Sequence, residues 1–158
     1  MTIEFGYEKK QVLQALRYHF LSRPEIKTLL IVINLFTIAS AFLFAFKKIQ
    51  APSFLIFSFL WFILLLTVWR ILPASIYKKA LTFQDHFSMR FYEEGVELSN
   101  PSGSREWQWS AFSSFVESPY FFHLYFDARS FFLVPKDAFT DINQLQEVRT
   151  LIREKIKK

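Results

Sequence analysis

Two long stretches without a charged residue dominate the first half of this chain, one from Thr28 to Phe46 and the other from Ser53 to Trp69. As a helix, the first stretch would be about 28 Å long at ~1.5 Å per residue, close to the ~30 Å hydrocarbon core of a bilayer. We therefore predict two membrane spans, over about residues 28–46 and 53–72. The turn between them is too short to hold a domain, so the spans form a helical hairpin.

Two local features refine the predicted hairpin. Ser22 followed by Glu25 has the spacing of a capping box, so we expect the first helix to begin at Ser22, with Pro24 in its first turn. Asn34 is the strongly polar side chain of the first span, and we expect it to face the second helix rather than lipid. Because no charge accompanies Asn34 within either uncharged stretch, a structural bond is favoured over a transport role.

The distribution of basic residues indicates how the hairpin is oriented, because Lys and Arg near spans favour the cytoplasmic side. The chain carries 19 Lys and Arg against 14 Asp and Glu. The turn contains only Lys47 and Lys48, and the basic residues that flank the hairpin on its outer side are Lys9, Lys10, Arg17, Arg23, Lys27, Arg70, Lys78 and Lys79. We expect both termini in the cytoplasm. No single motif gathers these residues, so we do not expect nucleic-acid binding.

The residues before the hairpin form a small segment of their own. Ile3–Tyr7 alternates apolar and other residues, which predicts a short strand, and Glu8–Leu21 has the apolar stripe of an amphipathic helix. That helix either lies at the membrane surface or packs on protein, and the pattern does not decide between them. We divide the chain into residues 1–21, the hairpin 22–81, and a second domain 82–158.

Beyond Thr82 the apolar residues change to alternate positions, which is typical of half-buried strands. We predict about six short strands up to Val134, separated by turns. Gly95 ends one such turn, where it is free to adopt positive φ. Trp107 and Trp109 alternate along one strand, so we expect both on one face and in the core rather than forming a platform for a ligand.

The chain closes with a predicted helix over Asp141–Lys158, for which Asp141 is a plausible N-cap. Its apolar residues recur at three- and four-residue steps, so the helix has an apolar stripe that needs the preceding strands as a partner. Lys155, Lys157 and Lys158 would lie at the negative end of its dipole. The fold class is therefore α+β, with a transmembrane hairpin followed by antiparallel strands and a terminal helix.

Residues that would carry chemistry are sparse. There is no Cys, and the histidines His19, His86 and His123 are far apart in sequence, so we expect surface or hydrogen-bonded histidines rather than metal ligands. The three glycines are isolated and form no phosphate-binding loop. We find no nucleophile motif, and we expect a protein that is not an enzyme and has no cofactor or metal.

Several segments resemble the YcxB-like family of small bacterial membrane proteins. Glu94–Leu98 is similar to its Glu-Gly-hydrophobic turn and strand, and Glu106–Phe112 to its tryptophan strand. The segments Tyr120–Tyr125 and Phe131–Phe139 resemble its paired aromatic strands, which end in a Pro-Lys-x-x-Phe step. Ile3–Tyr7 also fits this pattern. The resemblance implies a pleckstrin-homology-like (PH-like) β-sandwich or barrel capped by a helix, on a bacterial cytoplasmic membrane hairpin.

The resemblance implies little about activity, because a fold does not carry a function by itself. Our hypothesis is a non-enzymatic interaction module that contacts the lipid bilayer and binds a protein partner or a second copy. The alternative is a lipid head-group-binding or membrane-stress and resistance accessory protein, and a membrane enzyme or transporter subunit is disfavoured. Candidate head-group contacts at the membrane surface are Lys9, Lys10, Arg17, Arg23, Arg70, Lys78 and Lys79.

Overall fold

The computed structural model describes residues 1–156, so the expected positions of Lys157 and Lys158 lie outside the described residues. The chain divides into two compact units, one made of residues 1–15 and 81–158 and the other of residues 16–80. In chain order the helices and strands are β1 (Thr2–Phe5), α1 (Lys9–Ser22), α2 (Pro24–Ala45), α3 (Ala51–Leu66), α4 (Leu72–Lys79), β2 (Phe87–Phe91), β3 (Gly95–Asn100), β4 (Gly103–Gln108), β5 (Ser114–Glu117), β6 (Phe121–Tyr125), β7 (Phe131–Pro135) and α5 (Ile142–Lys155).

The strands of the first unit form two antiparallel sheets. One has the order β1-β2-β3-β4 and the other β5-β6-β7. The short N-terminal strand predicted from alternation is confirmed, and it pairs with β2 in a register that places Thr2 opposite Arg90 and Phe5 opposite Phe87. The hairpin is therefore inserted between two neighbouring strands of one sheet.

Both sheets and α5 contribute to one apolar core. Met89 of β2, Phe122 of β6 and Ile152 of α5 are completely buried in it, and a buried side chain of this size contributes about 1.5–3 kcal/mol. The Tyr7 hydroxyl donates to the Leu133 carbonyl at 2.7 Å, which ties the end of β1 to the second sheet. The amphipathic terminal helix predicted from its periodicity thus packs on the strands, as expected.

The barrel alternative is wrong, because no ladder of hydrogen bonds joins the two sheets among residues 1–156. Aromatic side chains hold the sheets together instead. Trp107 lies 4.8 Å from Phe132 and 5.9 Å from Phe126, measured between ring centroids. The chain between β4 and β5 is a 3₁₀ turn, Trp109–Ala111, rather than a continued strand. The α+β class is correct, and the fold is two facing sheets with a terminal helix.

Two interpretations of individual residues need correction. Gly95 does not have positive φ; among the described glycines only Gly103 does. Gly95 is required for space, since a Cβ there would lie 2.1 Å from the Trp107 carbonyl oxygen. Trp109 is buried as predicted, but it belongs to the 3₁₀ turn rather than to the face of β4 that carries Trp107.

The second unit contains the helical hairpin. Two helical stretches, Pro24–Ala45 and Ala51–Lys79, are long and apolar enough to cross a membrane, and only 6% of each apolar window is buried. The second stretch includes a π-helical segment, Thr67–Ile71, between α3 and α4. The expectation for Asn34 is confirmed, because its Oδ1 accepts a hydrogen bond from Trp61 Nε1 at 3.1 Å.

Both ends of α2 differ from a simple reading of the sequence. The capping box is wrong: Ser22 ends α1 and donates its hydroxyl to the Tyr18 carbonyl, and Arg23 is the N-cap without a side-chain bond. At the other end Lys47 has φ 57°. The Lys48 N–H donates to the Leu43 carbonyl at 2.8 Å, which is a Schellman motif. A non-glycine residue at that position costs about 1–2 kcal/mol.

Candidate functional site

Among the described residues of the first unit, Glu117, the last residue of β5, forms ion pairs with three basic side chains. Its carboxylate accepts from Lys136, which follows β7, at 2.8 Å, and from Arg149 of α5, also at 2.8 Å. Arg153, one turn further along α5, lies 3.4 Å away. We call these four residues the Glu117 cluster. It joins the end of one strand, the turn after another and the terminal helix.

Two members of the Glu117 cluster lie against an aromatic ring. The Lys136 ammonium is 5.3 Å and the Arg149 guanidinium 5.8 Å from the centroid of the Phe122 ring, within the range of cation–π attraction. Lys136 also donates to the Ser118 carbonyl at 2.6 Å. The Lys136 ammonium thus binds both Glu117 and the Ser118 carbonyl.

The electrostatics of the cluster favour the ionised carboxylate. Partial burial alone would raise the pKa of Glu117, but the hydrogen bonds and positive charges of Arg149 and Lys136 outweigh burial and lower that pKa. The cluster keeps a net positive charge. Because Glu117 pairs with Lys136 and Arg149 at 2.8 Å each, the arrangement ties the end of β5 to the turn after β7 and to α5.

The Glu117 cluster explains the Pro-Lys-x-x-Phe step. Pro135 ends β7, Lys136 binds Glu117, and Phe139 is buried in the core beside Phe91, with 6.3 Å between ring centroids. The sequence singled out Lys136 through this motif. It did not identify Glu117 or Arg149, for which the usable signal is the four-residue spacing of Arg149 and Arg153 on one face of α5.

A serine and a histidine lie together next to this cluster. His123 Nε2 is 2.9 Å from Ser118 Oγ, and Ser118 Oγ donates to the Phe121 carbonyl at 3.2 Å. Both side chains are buried. The expectation that His123 is hydrogen-bonded is confirmed. Among residues 1–156 no group of three or more His, Cys, Asp or Glu residues has the arrangement of a metal site.

The structure separates the basic residues that were predicted to contact head groups. Lys9 and Lys10 begin α1 and are exposed, and Lys78 and Lys79 are exposed in the last turn of α4. Arg70 is exposed within the π-helical segment. The two remaining residues, Arg17 and Arg23, are half-buried, and Arg23 lies 3.6 Å from Glu25.

Arg17 is bound to the hairpin. Its Nε donates to the Trp69 carbonyl at 2.9 Å, and its guanidinium lies 5.2 Å from the centroid of the Trp69 ring. Two residues further along α1, His19 is buried. Burial, together with the positive charge of Arg23, lowers the pKa of His19 to about 4. No spacing in the sequence identifies the Arg17–Trp69 contact or the burial of His19, because both depend on how α1 packs.

These features define a class of protein: an α+β chain in which an apolar helical hairpin is inserted between the first two strands of a sheet. Residues 91–152 match the family model described as YcxB-like protein, so the resemblance seen in the sequence is confirmed over β3 to α5. That match covers less than half of the chain. Comparison with curated proteins finds no match, and neither does comparison with solved structures.

Proposed function

We propose that this chain is a two-span membrane protein whose sheet unit, a PH-like module on the cytoplasmic face, binds a protein partner and performs no catalysis. The pairing of β1 with β2 supports the orientation of the hairpin in this proposal, and the exposed outer edge of β4 supports the partner surface. The strands β1 and β2 precede and follow the hairpin in sequence, yet they are neighbours in one sheet. Both ends of the hairpin must therefore emerge on the side where the sheet folds.

The surface of the hairpin supports membrane insertion. Its helices expose large apolar side chains around their circumference, among them Leu35, Phe36, Phe59 and Phe62, and only 6% of each window is buried. A core helix of a soluble protein would bury that surface, whereas a patch this large in water favours aggregation. Lipid is the solvent that suits it, and the excess of basic residues on the outer side favours cytoplasmic termini.

The architecture of the sheet unit supports the PH-like interpretation. A four-stranded and a three-stranded antiparallel sheet followed by a terminal helix agree with the helix-capped β-sandwich that the resemblance implies. The groove between β5 and α5 is bridged by the Glu117 cluster. The outer edge of β4 is instead exposed along nearly its whole length, so we propose this edge as the surface that binds a partner strand.

The register identifies which backbone groups β4 offers. The Trp109 N–H donates to the Glu94 carbonyl at 3.1 Å, and antiparallel bonding alternates along a strand. The backbone groups of Arg105 and Trp107 therefore bond to β3. Glu106 and the residues two positions before and after it direct their N–H and C=O groups away from β3. Self-pairing across a two-fold axis centred on Glu106 or on Arg105 would place two like charges opposite each other, which is unfavourable. We propose a different protein as the partner.

Photo-crosslinking tests the proposed edge. A benzoyl-phenylalanine at Gln108 in the full-length membrane protein should form an adduct, and the same group at exposed Arg129 is the matched control. Glu106→Pro removes only an outward donor, so it should abolish the adduct while leaving the fold intact. Glu106→Gln keeps that donor and should retain the adduct. Equal crosslinking at positions 108 and 129, or an adduct that survives Glu106→Pro, would exclude the edge.

Topology is tested separately with reporter fusions at the two ends of the chain. Cytoplasmic signals from both fusions are expected, because β1 and β2 share a sheet. Signals from opposite sides of the membrane would contradict the two-span arrangement, whatever the crosslinking result.

One observation supports head-group binding as a second candidate function. Lys78 and Lys79 are both exposed in the last turn of α4, and each basic residue near an anionic surface contributes about 1 kcal/mol. Lys78→Glu with Lys79→Glu should then reduce the anionic phospholipid that remains on the purified protein in native mass spectrometry. Lys47→Glu with Lys48→Glu, at the tip of the hairpin, is the control for net charge.

A further inference from the structure

The second apolar helix changes its hydrogen-bonding pattern shortly before α4. Residues Thr67–Ile71 are π-helical, and the Leu72 N–H donates to the Thr67 carbonyl, five residues back. Pro73 follows in the first turn of α4 and is buried. Single π turns within helices occur frequently at positions with a special structural or functional role, so this segment requires an explanation in terms of its neighbours.

Pro73 leaves one carbonyl without its usual partner. In an α-helix the Trp69 carbonyl would accept from the N–H of residue 73, and proline has no N–H. A carbonyl without a donor costs free energy wherever water does not reach it. The structure shows which group replaces the donor: Arg17 Nε lies 2.9 Å from the Trp69 oxygen.

The guanidinium is held there by a second contact. It lies 5.2 Å from the centroid of the Trp69 ring. Arg17 is therefore bound by both the carbonyl and the ring of Trp69. Arg17 is half-buried, whereas Arg70, the next residue after Trp69, is exposed. The two arginines therefore differ in environment although they have the same charge and lie close to the same turn.

We infer that Arg17 is the side-chain substitute for the backbone donor that Pro73 lacks, and that this contact fastens α1 to the second apolar helix at its π-helical segment. This contact joins α1, which precedes the hairpin in sequence, to the second apolar helix, which leads back to the strands. It also removes Arg17 from the set of cations available to lipid head groups. This inference concerns the hairpin unit alone and does not depend on the proposed function.

A double-mutant cycle on the full-length protein in detergent micelles tests the inference. Arg17→Ala should lower the Tm by about 3–8 °C, as expected for a lost hydrogen bond from a charged donor. In a Pro73→Ala background the new N–H can pair with the Trp69 carbonyl, so Arg17→Ala should lower the Tm by less than half as much. Arg70→Ala is the matched control and should leave the Tm within about 1 °C of the parent.

Two results would overturn the inference. One is an equal Tm shift for Arg17→Ala in both backgrounds, since residues that act independently are additive. The other is a shift no larger than that of Arg70→Ala. Hydrogen exchange gives a second measurement that does not require the Pro73→Ala variant to fold: amides of residues 16–22 should exchange faster in Arg17→Ala than in Arg70→Ala, and equal rates would exclude the contact.

Discussion

The two units of this protein use the same kind of residue in opposite ways. Phe122 of the sheet unit is completely buried, whereas Phe59 of the hairpin is 64% exposed. In the sheet unit, apolar side chains turn inward and charged groups such as Glu117 lie at the periphery. In the hairpin, apolar side chains turn outward and the polar pair of Asn34 and Trp61 lies between the helices. The comparison shows that apolar composition alone does not locate a core; the surrounding solvent does.

The largest expected effect comes from truncating one phenylalanine in each unit. Phe122→Ala should destabilise the sheet unit by about 3–5 kcal/mol, because it leaves a cavity among Met89, Ile152 and the facing strands. Phe59→Ala removes a side chain that already faces solvent and should change stability in detergent by less than about 0.5 kcal/mol. Thermal unfolding of the two variants measures the difference. Similar losses would mean that Phe59 packs against protein.

A charge placed in each unit tests the comparison from the other side. Leu35→Arg puts a guanidinium on the exposed face of α2 and should oppose insertion by about 2.5–3.5 kcal/mol. Tyr120→Arg, on an exposed apolar position of the sheet unit, should have little effect. The measurement is the fraction of protein that resists carbonate extraction from membranes. Undiminished extraction resistance in Leu35→Arg would argue against lipid around α2.

Acidification should affect the two units in different pH ranges. Folding lowers the pKa of His19 from 6.5 to about 4, so below pH 6.5 the unfolded chain binds a proton that the folded chain does not. Stability should therefore fall as the pH decreases from 6.5 to about 4, by about 3 kcal/mol in total. His19→Gln should remove this dependence when stability is measured against pH.

Glu117 should affect stability at lower pH than His19 does. Its lowered pKa means that the ionised carboxylate stabilises the fold above its ordinary value of 4.5. That contribution is lost only as the pH falls further, through the pKa of the folded state. A pH dependence that persists between 6.5 and 4.5 in His19→Gln would contradict this assignment of the two ranges.

The smallest expected effect concerns the polar pair inside the hairpin. Trp61→Phe keeps an aromatic ring but removes the donor to Asn34, and hydrogen bonds between apolar helices contribute about 0.6 kcal/mol on average. The Tm in detergent should fall by about 1–2 °C. Trp69→Phe, which keeps the carbonyl that binds Arg17, is a suitable comparison. A loss of stability in Trp61→Phe as large as that in Phe122→Ala would contradict this prediction and would mean that the hairpin interior is packed like a protein core.

Local patterns in the sequence predicted those features that depend on one element or its immediate neighbours. The apolar stretches, the strand periodicity after Thr82 and the Asp141 N-cap, whose carboxylate accepts from the Asn143 N–H at 3.0 Å, all depend on nearby residues. The prediction of a capping box was wrong because it relied on residue spacing alone. Ser22 has the right spacing, but α1 continues through Ser22, so its hydroxyl bonds backward along the helix that is ending.

The features that the sequence did not predict depend on residues that packing brings together. Glu117 meets Arg149 only because α5 crosses the end of β5, and Arg17 meets Trp69 only because α1 packs on the hairpin. The role of Gly95 is set by the carbonyl of Trp107 on the neighbouring strand. Neither contact pairs nor open sheet edges leave a periodic signal, which is why the barrel alternative was not excluded from the sequence.

The position of the hairpin between β1 and β2 has a consequence for biosynthesis. Phe5 leaves the ribosome long before its partner Phe87, and at ~5–20 residues per second the delay is on the order of 4–16 s. During that time the first strand has no sheet to join, although both apolar helices of the hairpin have already been synthesised. The four-stranded sheet can therefore be completed only after the whole apolar hairpin has been synthesised.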